Sequence, residues 1–233
     1  MIIETSERPV KIELPAEIKK VGVMMSGGAD SALLLYLYAK YMKEERNDIS
    51  IIPVIIDTWE RPNYVTFSEK IIAFVEKELL VKIQKMQVSD PVFLKNKLQT
   101  EENLLKYCYE SNIIECHVNG ITNAPPIEEL PYPYNMTLEY DPAKPMRQYW
   151  NTLRLSKELK PELEYMSESK QVFVTPIFNI NKKSIVEIYK KFNLFETLWY
   201  LTSGCDNRTT YEEVACEKCF FCHERKWSTG SYK

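Results

Sequence analysis

The segment Met24-Met25-Ser26-Gly27-Gly28-Ala29-Asp30-Ser31 limits what this chain can fold into more than any other. An apolar run, Val21-Gly22-Val23-Met24-Met25, precedes the turn and reads as a buried strand. Ala32-Leu33-Leu34-Leu35-Tyr36-Leu37-Tyr38-Ala39 follows it and reads as a helix. A strand that turns through Ser-Gly-Gly into a helix makes a phosphate cradle. Glycine lets the backbone approach an anion, and the N–H groups of the helix's first turn point at it. The Gly-Lys-Ser/Thr of a Walker loop is missing, so this is a phosphate loop of another kind.

The rest of the chain alternates around that unit. Strands are predicted at 20–25, 51–56, 81–88, 113–119 and 172–175, and helices at 29–46, 64–79, 94–112 and 182–193. Pro53 is an objection to the second strand. The helix at 64–79 carries Phe67, Ile71, Ile72, Phe74, Val75 and Leu79 on its apolar side. Residues 1–18 read as an arm or edge strand. This order predicts the α/β class, as one domain over 1–233 with a doubly wound parallel five-stranded sheet and helices on both faces. Ligands of such sheets bind beyond the carboxyl ends of the strands. The 26–31 loop, Asp57 and Gly120 all fall at such ends and are expected to converge. Residues 121–150 break the pattern with Pro125, Pro126, Pro131, Pro133, Pro142 and Pro145. A segment this long that leaves from the active edge is expected to be an active-site loop, with a surface excursion or a dimer contact as the other reading.

Composition narrows the partners. Hydrophobic residues make up 45% of 233, enough for a sizeable core, and no apolar run approaches the ~20 residues that span a bilayer. The acidic start Met1-Ile2-Ile3-Glu4-Thr5-Ser6-Glu7 lacks the basic-then-apolar order of a signal peptide, so a cytoplasmic protein without a membrane partner is expected. A net charge of −3 favours a small substrate over a nucleic acid, whose phosphates call for a basic face.

Cys205, Cys216, Cys219 and Cys222 form a second constellation, Cys-x10-Cys-x2-Cys-x2-Cys, within a 200–226 subregion. Four thiolates with a tight Cys-x-x-Cys turn suit tetrahedral Zn2+, which would be structural because four protein ligands leave no open position. An iron–sulfur cluster is the rival reading. Cys108 and Cys116 fall in helix and strand patterns and read as core, and His117 as a packed strand residue.

The loop resembles the Ser-Gly-Gly-x-Asp-Ser loop of the PP-loop ATP pyrophosphatases, which split ATP between the α and β phosphates and attach AMP to a substrate. With the tail, the likeness extends to one branch, 7-cyano-7-deazaguanine synthase. Thr175-Pro176-Ile177-Phe178-Asn179-Ile180-Asn181-Lys182 looks like that family's Thr-Pro-apolar stretch ending in lysine. Leu198-Trp199-Tyr200-Leu201-Thr202-Ser203-Gly204-Cys205 is similar to its Thr-x-Ser-Cys segment, with an inserted glycine. Cys216-Glu217-Lys218-Cys219-Phe220-Phe221-Cys222-His223-Glu224-Arg225 matches its Cys-x-x-Cys-x-x-Cys-x-x-Arg ending. The middle departs from the family: Asp57-Thr58-Trp59-Glu60-Arg61 stands where a Tyr-Gly-Gln type turn is usual, and Asn119-Gly120-Ile121-Thr122-Asn123 leads into the proline-rich segment.

The resemblance implies an ATP-dependent carbon–nitrogen ligase with ATP, Mg2+ and Zn2+ as cofactors. Its substrates would be a deazapurine carboxylate and ammonia, and a homodimer is implied. It implies Ser26, Asp30 and Ser31 as catalytic residues: the two hydroxyls donate to phosphate oxygens and Asp30 holds Mg2+. Met25, Ser26, Gly27, Gly28, Ala29, Asp30, Ser31 and Leu35 would line the nucleotide, and Asp57 and Gly120 would meet the adenosine. Arg61 and Arg147 are candidate carboxylate partners, because guanidinium binds carboxylate with two parallel hydrogen bonds. A tRNA-modifying enzyme of the thiolase or lysidine-ligase type is the alternative.

Overall fold

The computed structural model describes residues 1–58, 63–93, 96–126, 128–130, 154, 158–166, 171–205 and 215–232. The central strand β3 (Lys20–Met25) is followed by helix α1 (Ala29–Glu44), then β4 (Ser50–Ile55), α2 (Tyr64–Leu79), β5 (Gln87–Val88), α3 (Lys97–Glu110) and β6 (Cys116–Val118). After them come β7 (Leu163–Met166), β8 (Gln171–Val174), α4 (Lys182–Lys191), a short 3-10 helix (Leu198–Leu201) and α5 (Phe220–Thr229). The sheet runs β5-β4-β3-β6-β8-β7. All neighbours are parallel except β7, which pairs antiparallel with β8. The sheet therefore holds the five expected parallel strands, β5, β4, β3, β6 and β8, with β7 added antiparallel at one edge. The added strand, Leu163-Glu164-Tyr165-Met166, is an edge strand of four residues, too short for a period of two to stand out. A separate two-stranded antiparallel sheet joins β1 (Ile2–Ile3) to β2 (Val10–Lys11), which is the form that the N-terminal arm takes.

Side chains alternate along the inner strands and sort the core into two faces. Val21, Val23, Met25, Ile51 and Ile55 face the larger cluster, which also holds α1 and α4 residues. Met24, Ile52, Val54 and Ile56 face a smaller cluster with Leu105, Cys108 and Ile114. Helices thus cover both faces, as a parallel sheet requires. Helix α1 is buried almost all round, from Leu33 to Ala39 without a break, which is why its sequence shows little amphipathic stripe. Pro53 is tolerated because of where its missing N–H would point. The carbonyls of Ile51 and Ile55 accept from Gln84 and Ser89, so odd positions of β4 face β5, where the ladder is only two residues long. Residues 81–86 are irregular, and the third strand is reduced to Gln87–Val88. Among the described residues no helix is long and apolar enough to cross a membrane.

His117 sits in β6, 7% exposed, between the rings of Phe173 (4.8 Å) and Tyr109 (5.9 Å). The Tyr109 hydroxyl donates to the Val172 carbonyl (3.1 Å), so at His117 it accepts from the Nδ1–H (2.8 Å). Burial lowers the imidazole pKa to about 4 from 6.5. The unfolded chain therefore takes up this proton first. The stability that the neutral ring supports is complete above pH 6.5 and is lost as the pH falls from 6.5 towards 4. That window corresponds to on the order of 3 kcal/mol. Urea unfolding of His117→Phe is expected to show a flatter dependence between pH 6.5 and 4 than the parent chain.

Candidate functional site

The first turn of α1 lies at the point where the strand order reverses. β3 connects outward to β4 on one side and pairs with β6 on the other. The carboxyl ends of β3 and β6 therefore splay apart there and leave a crevice. Ser26-Gly27-Gly28 leaves β3 and Asn119-Gly120 leaves β6, and both reach that crevice. It opens into a cavity of about 370 Å3.

Two glycines make this arrangement possible. Gly27 has φ of +70°, and a Cβ there would lie 2.6 Å from Cβ of Phe67 on α2. Both the left-handed backbone and the contact exclude a side chain. Gly120 lets β6's exit run against the start of α1: an added Cβ would meet Asp30 C, Asp30 Cβ and Ser31 N, each at 3.1 Å. Gly28 caps α1 in an extended conformation with no side-chain cap. Among the described residues nothing accepts from the N–H groups of Gly28, Ala29 and Asp30, so the first turn keeps donors for an anion. The hydroxyls of the loop support its shape. Ser31 Oγ donates to Gly28 O (3.0 Å) and accepts from Ser26 N (3.3 Å), with Ser26 Oγ 3.4 Å away.

Lys182, the first residue of α4, places its Nζ 2.6 and 2.5 Å from the two carboxylate oxygens of Asp30. The N-terminal arm fixes α4 for this. Glu7 accepts from Asn181 N and Nδ2 (both 2.7 Å) and from Ser184 Oγ (2.6 Å). Tyr189 of α4 donates to Ala29 O (2.7 Å). Both oxygens of Asp30 are thus committed to the ammonium, and a Mg2+ ion on Asp30 would have to displace it. Lys182 also lines the cavity, and its place at the end of the Thr-Pro-apolar-Lys stretch is the mark it leaves in the sequence.

Of the expected residues, Met25, Ser26, Gly28, Ala29, Asp30, Ser31, Gly120 and Cys205 line the cavity. Gly27 sits beneath it on Phe67. Leu35 is fully buried in α1 and faces the core. Asp57 does not line the cavity. Its Oδ1 accepts from Thr58 N (2.9 Å), its N–H donates to Ser89 and its carbonyl accepts from Val92, so it closes its own turn. Ile56, Asn63 and Tyr64 line the cavity on that side instead. Arg61, Arg147, residue 127 and residues 131–150 of the expected active-site loop lie outside the described residues. Lining residues that sequence reasoning did not assign include Arg154, Glu224 and Arg225.

The cysteines come together as a tetrad. Sγ atoms of Cys205, Cys216, Cys219 and Cys222 all lie within 4.8 Å of one another, with Cys216 and Cys222 at 3.9 Å. A tetrahedral ion with metal–sulfur bonds of ~2.3 Å sets its thiolates about 3.8 Å apart, so the set fits one ion. Backbone N–H groups already point at the sulfurs: Cys216 N at Cys205 Sγ (3.3 Å), and Lys218 N and Cys219 N at Cys216 Sγ (3.5 and 3.4 Å). Burial opposes ionisation of Cys216, yet those N–H groups carry its thiol below the ordinary value. Cys222 is pushed far up by its contact with Cys219 and by burial. Four crowded thiols resist joint ionisation, and a bound cation removes that resistance. The N–H···S turns and the following helix α5 resemble a knuckle closing on an ion.

The tetrad is tied to the 26–31 loop through α5. Arg225 donates to Thr202 Oγ1 (3.2 Å) and Trp199 O (3.1 Å) and lies over the Trp199 ring (4.3 Å). Ser203 N, one residue on, donates to Gly27 O (2.8 Å).

The chain matches no protein-family model and no curated protein. Among solved structures it is similar to the U34-tRNA thiolase NcsA from Methanococcus maripaludis with its 4Fe-4S cluster. Identity there is 12%, over 92% of this chain and 71% of that one, with a TM-score of 0.48. That likeness is too slight to carry any assignment of function.

Two outcomes follow. Gly27→Ala is expected to destabilise the chain by about 2 kcal/mol or more, from a left-handed alanine and a clash with Phe67, measured by chemical unfolding. Cys219→Ser is expected to lose its metal, read by elemental analysis, and to melt at least about 5 °C lower than the parent.

Proposed function

We propose that this chain activates a carboxylate with ATP as an acyl adenylate and passes it to ammonia, converting 7-carboxy-7-deazaguanine or a close analogue to the amide and then the nitrile. The observation that carries this reading is the junction of three features in one cavity. These are the Ser26–Ser31 loop with open N–H groups, the Lys182 ammonium at the loop's rim, and the cysteine-bearing segment at Cys205 and α5.

In this reading the backbone N–H groups of Gly28, Ala29 and Asp30 hold the phosphates. Lys182, oriented by Asp30, offsets the negative charge that develops as the α–β bond breaks. Mg2+ bound with the nucleotide would supply further charge neutralisation at the phosphates. The substrate carboxylate attacks the α phosphorus and expels pyrophosphate. Ammonia then attacks the acyl carbon, and AMP leaves with the bonding electrons. The amide oxygen undergoes a second adenylation, after which loss of AMP and protons leaves the C≡N group. AMP is the better leaving group in each step, where hydroxide would be a poor one. The tetrad is assigned to structural Zn2+. Its sulfur–sulfur distances support a single ion, since a four-iron cube puts an iron under each thiolate and spreads the ligands further.

Incubation of metal-loaded protein with ATP, Mg2+, ammonium and 7-carboxy-7-deazaguanine is expected to yield AMP together with amide and nitrile, read by mass spectrometry. Asp30→Asn is expected to cut AMP release about a hundredfold with the melting temperature kept. A folded parent protein that gives neither product rejects this substrate. AMP release that requires tRNA and a sulfur donor, in protein that carries iron and sulfide, would move the assignment to tRNA thiolation.

A further inference from the structure

Helix α4 begins with two lysines, an electrostatically unfavourable start for a helix on its own. Lys182 and Lys183 hold its first two positions, and its first turn has no acidic residue. The N-terminus of a helix carries partial positive charge and favours anions. The helix already has a local cap, because the side chain of Asn181 accepts from Lys183 N at 2.8 Å. The negative charge comes from distant parts of the chain, from Asp30 at Lys182 and from Glu7 of the N-terminal arm.

Glu7 brings geometry as well as charge. Its Oε2 accepts from the N–H of Asn181 (2.7 Å) and from the hydroxyl of Ser184 (2.6 Å), a fully buried residue. Its Oε1 accepts from Asn181 Nδ2 at 2.7 Å. That last bond fixes which way the Asn181 amide faces, nitrogen to Glu7 and oxygen to Lys183 N. Further along the helix, Glu187 accepts from N and Oγ of Ser6 (2.8 and 2.5 Å). Positions 181, 184 and 187 thus meet the arm, whereas 182 and 189, two turns apart, meet the first turn of α1. The start of α4 is held between the arm and the 26–31 loop. Lys182 carries its ammonium on a flexible four-carbon stem, so the place of the ammonium depends on how firmly the helix start is held.

We propose that Glu7, which does not itself line the cavity, is a positioning residue of this site: from the arm it fixes the start of α4 and so keeps the Lys182 ammonium at Asp30, ready for the phosphates of the ligand. This deepens the reading of the 26–31 loop as a phosphate site and rests on it. An ionised carboxylate only accepts hydrogen bonds. Whichever way its amide is turned, Glu7→Gln sets an N–H2 group against an N–H donor of Asn181.

The test uses the metal-loaded full chain and reads lysines one by one, by reductive methylation with formaldehyde and a borohydride followed by peptide mass spectrometry. Lys191, exposed at the far end of α4, is the internal reference. Glu7→Gln is expected to raise the rate at Lys182 about fivefold against Lys191, the equivalent of one lost hydrogen bond. It is expected to weaken binding of α,β-methylene-ATP, which cannot be split between the α and β phosphates, by a similar factor. Adding Asn181→Asp gives the new N–H2 group an acceptor and still caps Lys183 N, so the double variant is expected to return both readings to within about twofold of the parent. If Glu7→Gln does not fold, Asn181→Asp alone decides: it sets carboxylate against carboxylate and is expected to free Lys182 in the same way. A Glu7 that only stabilises the fold would lower the urea midpoint and leave the Lys182 to Lys191 ratio of the folded chain unchanged, and that result overturns the proposal. So does a freed Lys182 with undiminished nucleotide affinity, or a double variant no better than Glu7→Gln. A parent chain that does not bind the nucleotide rejects the phosphate reading alone, and the Lys182 rates still decide whether Glu7 positions the ammonium.

Discussion

The close approach of backbone to the first turn of α1 is the constraint on which the functional end of this molecule depends. That turn is met from one side by Gly120 and anchored beneath by Gly27 on Phe67. A methyl group at Gly27 would overlap Cβ of Phe67, and one at Gly120 would crowd the backbone of Asp30 and Ser31. A helix start with open N–H groups can then lie at the floor of a crevice, which in turn exists because β3 and β6 diverge at the reversal of strand order. Loop conformation, helix capping and sheet topology thus form one arrangement. A side chain at either glycine would press against the elements that close on this turn.

Distant parts of the chain hold this turn in place through polar contacts. The N-terminal arm grips α4 through Glu7, α4 delivers Lys182 to Asp30, and Tyr189 bonds the carbonyl of Ala29. From the other side, α5 grips the 199–202 segment through Arg225, and Ser203 bonds Gly27. The tail is mostly polar and its helix has only Cys222 and Glu224 buried, so it has little apolar burial of its own to hold it. A closed four-sulfur site stabilises such a segment where packing cannot. The cysteine tetrad belongs to the cavity wall in this sense: Cys205 lines it, and Cys222 lies on α5 beside Glu224 and Arg225, which line it too.

Much of this was legible in the order of residues. β3, α1, β4 and α2 were predicted within a residue or two, because long apolar periods and a Gly-Gly break are local signals. Edges were less legible. β5 shrank to two residues and β7 was missed, since edge strands are short, half-polar and defined by their partner more than by their own sequence. At the site, position after a strand was a good guide for Ser26 and Gly120 but not for Asp57, whose carboxylate closes its own turn. Leu35 shows the reverse case, a residue near the loop in sequence that helical rotation carries into the core.

The sequence alone determined the kind of turn, the tight cysteine spacing and the alternation that makes an α/β sheet. Each depends on residues close together in the chain, where backbone freedom and side-chain period leave few alternatives. Only the tertiary structure decided which charges meet. Asp30 and Lys182 are 152 positions apart, and Arg154 and Glu224 are 70 apart. Such pairs carry no local period, and they come together only because the sheet order and the helix docking place them there.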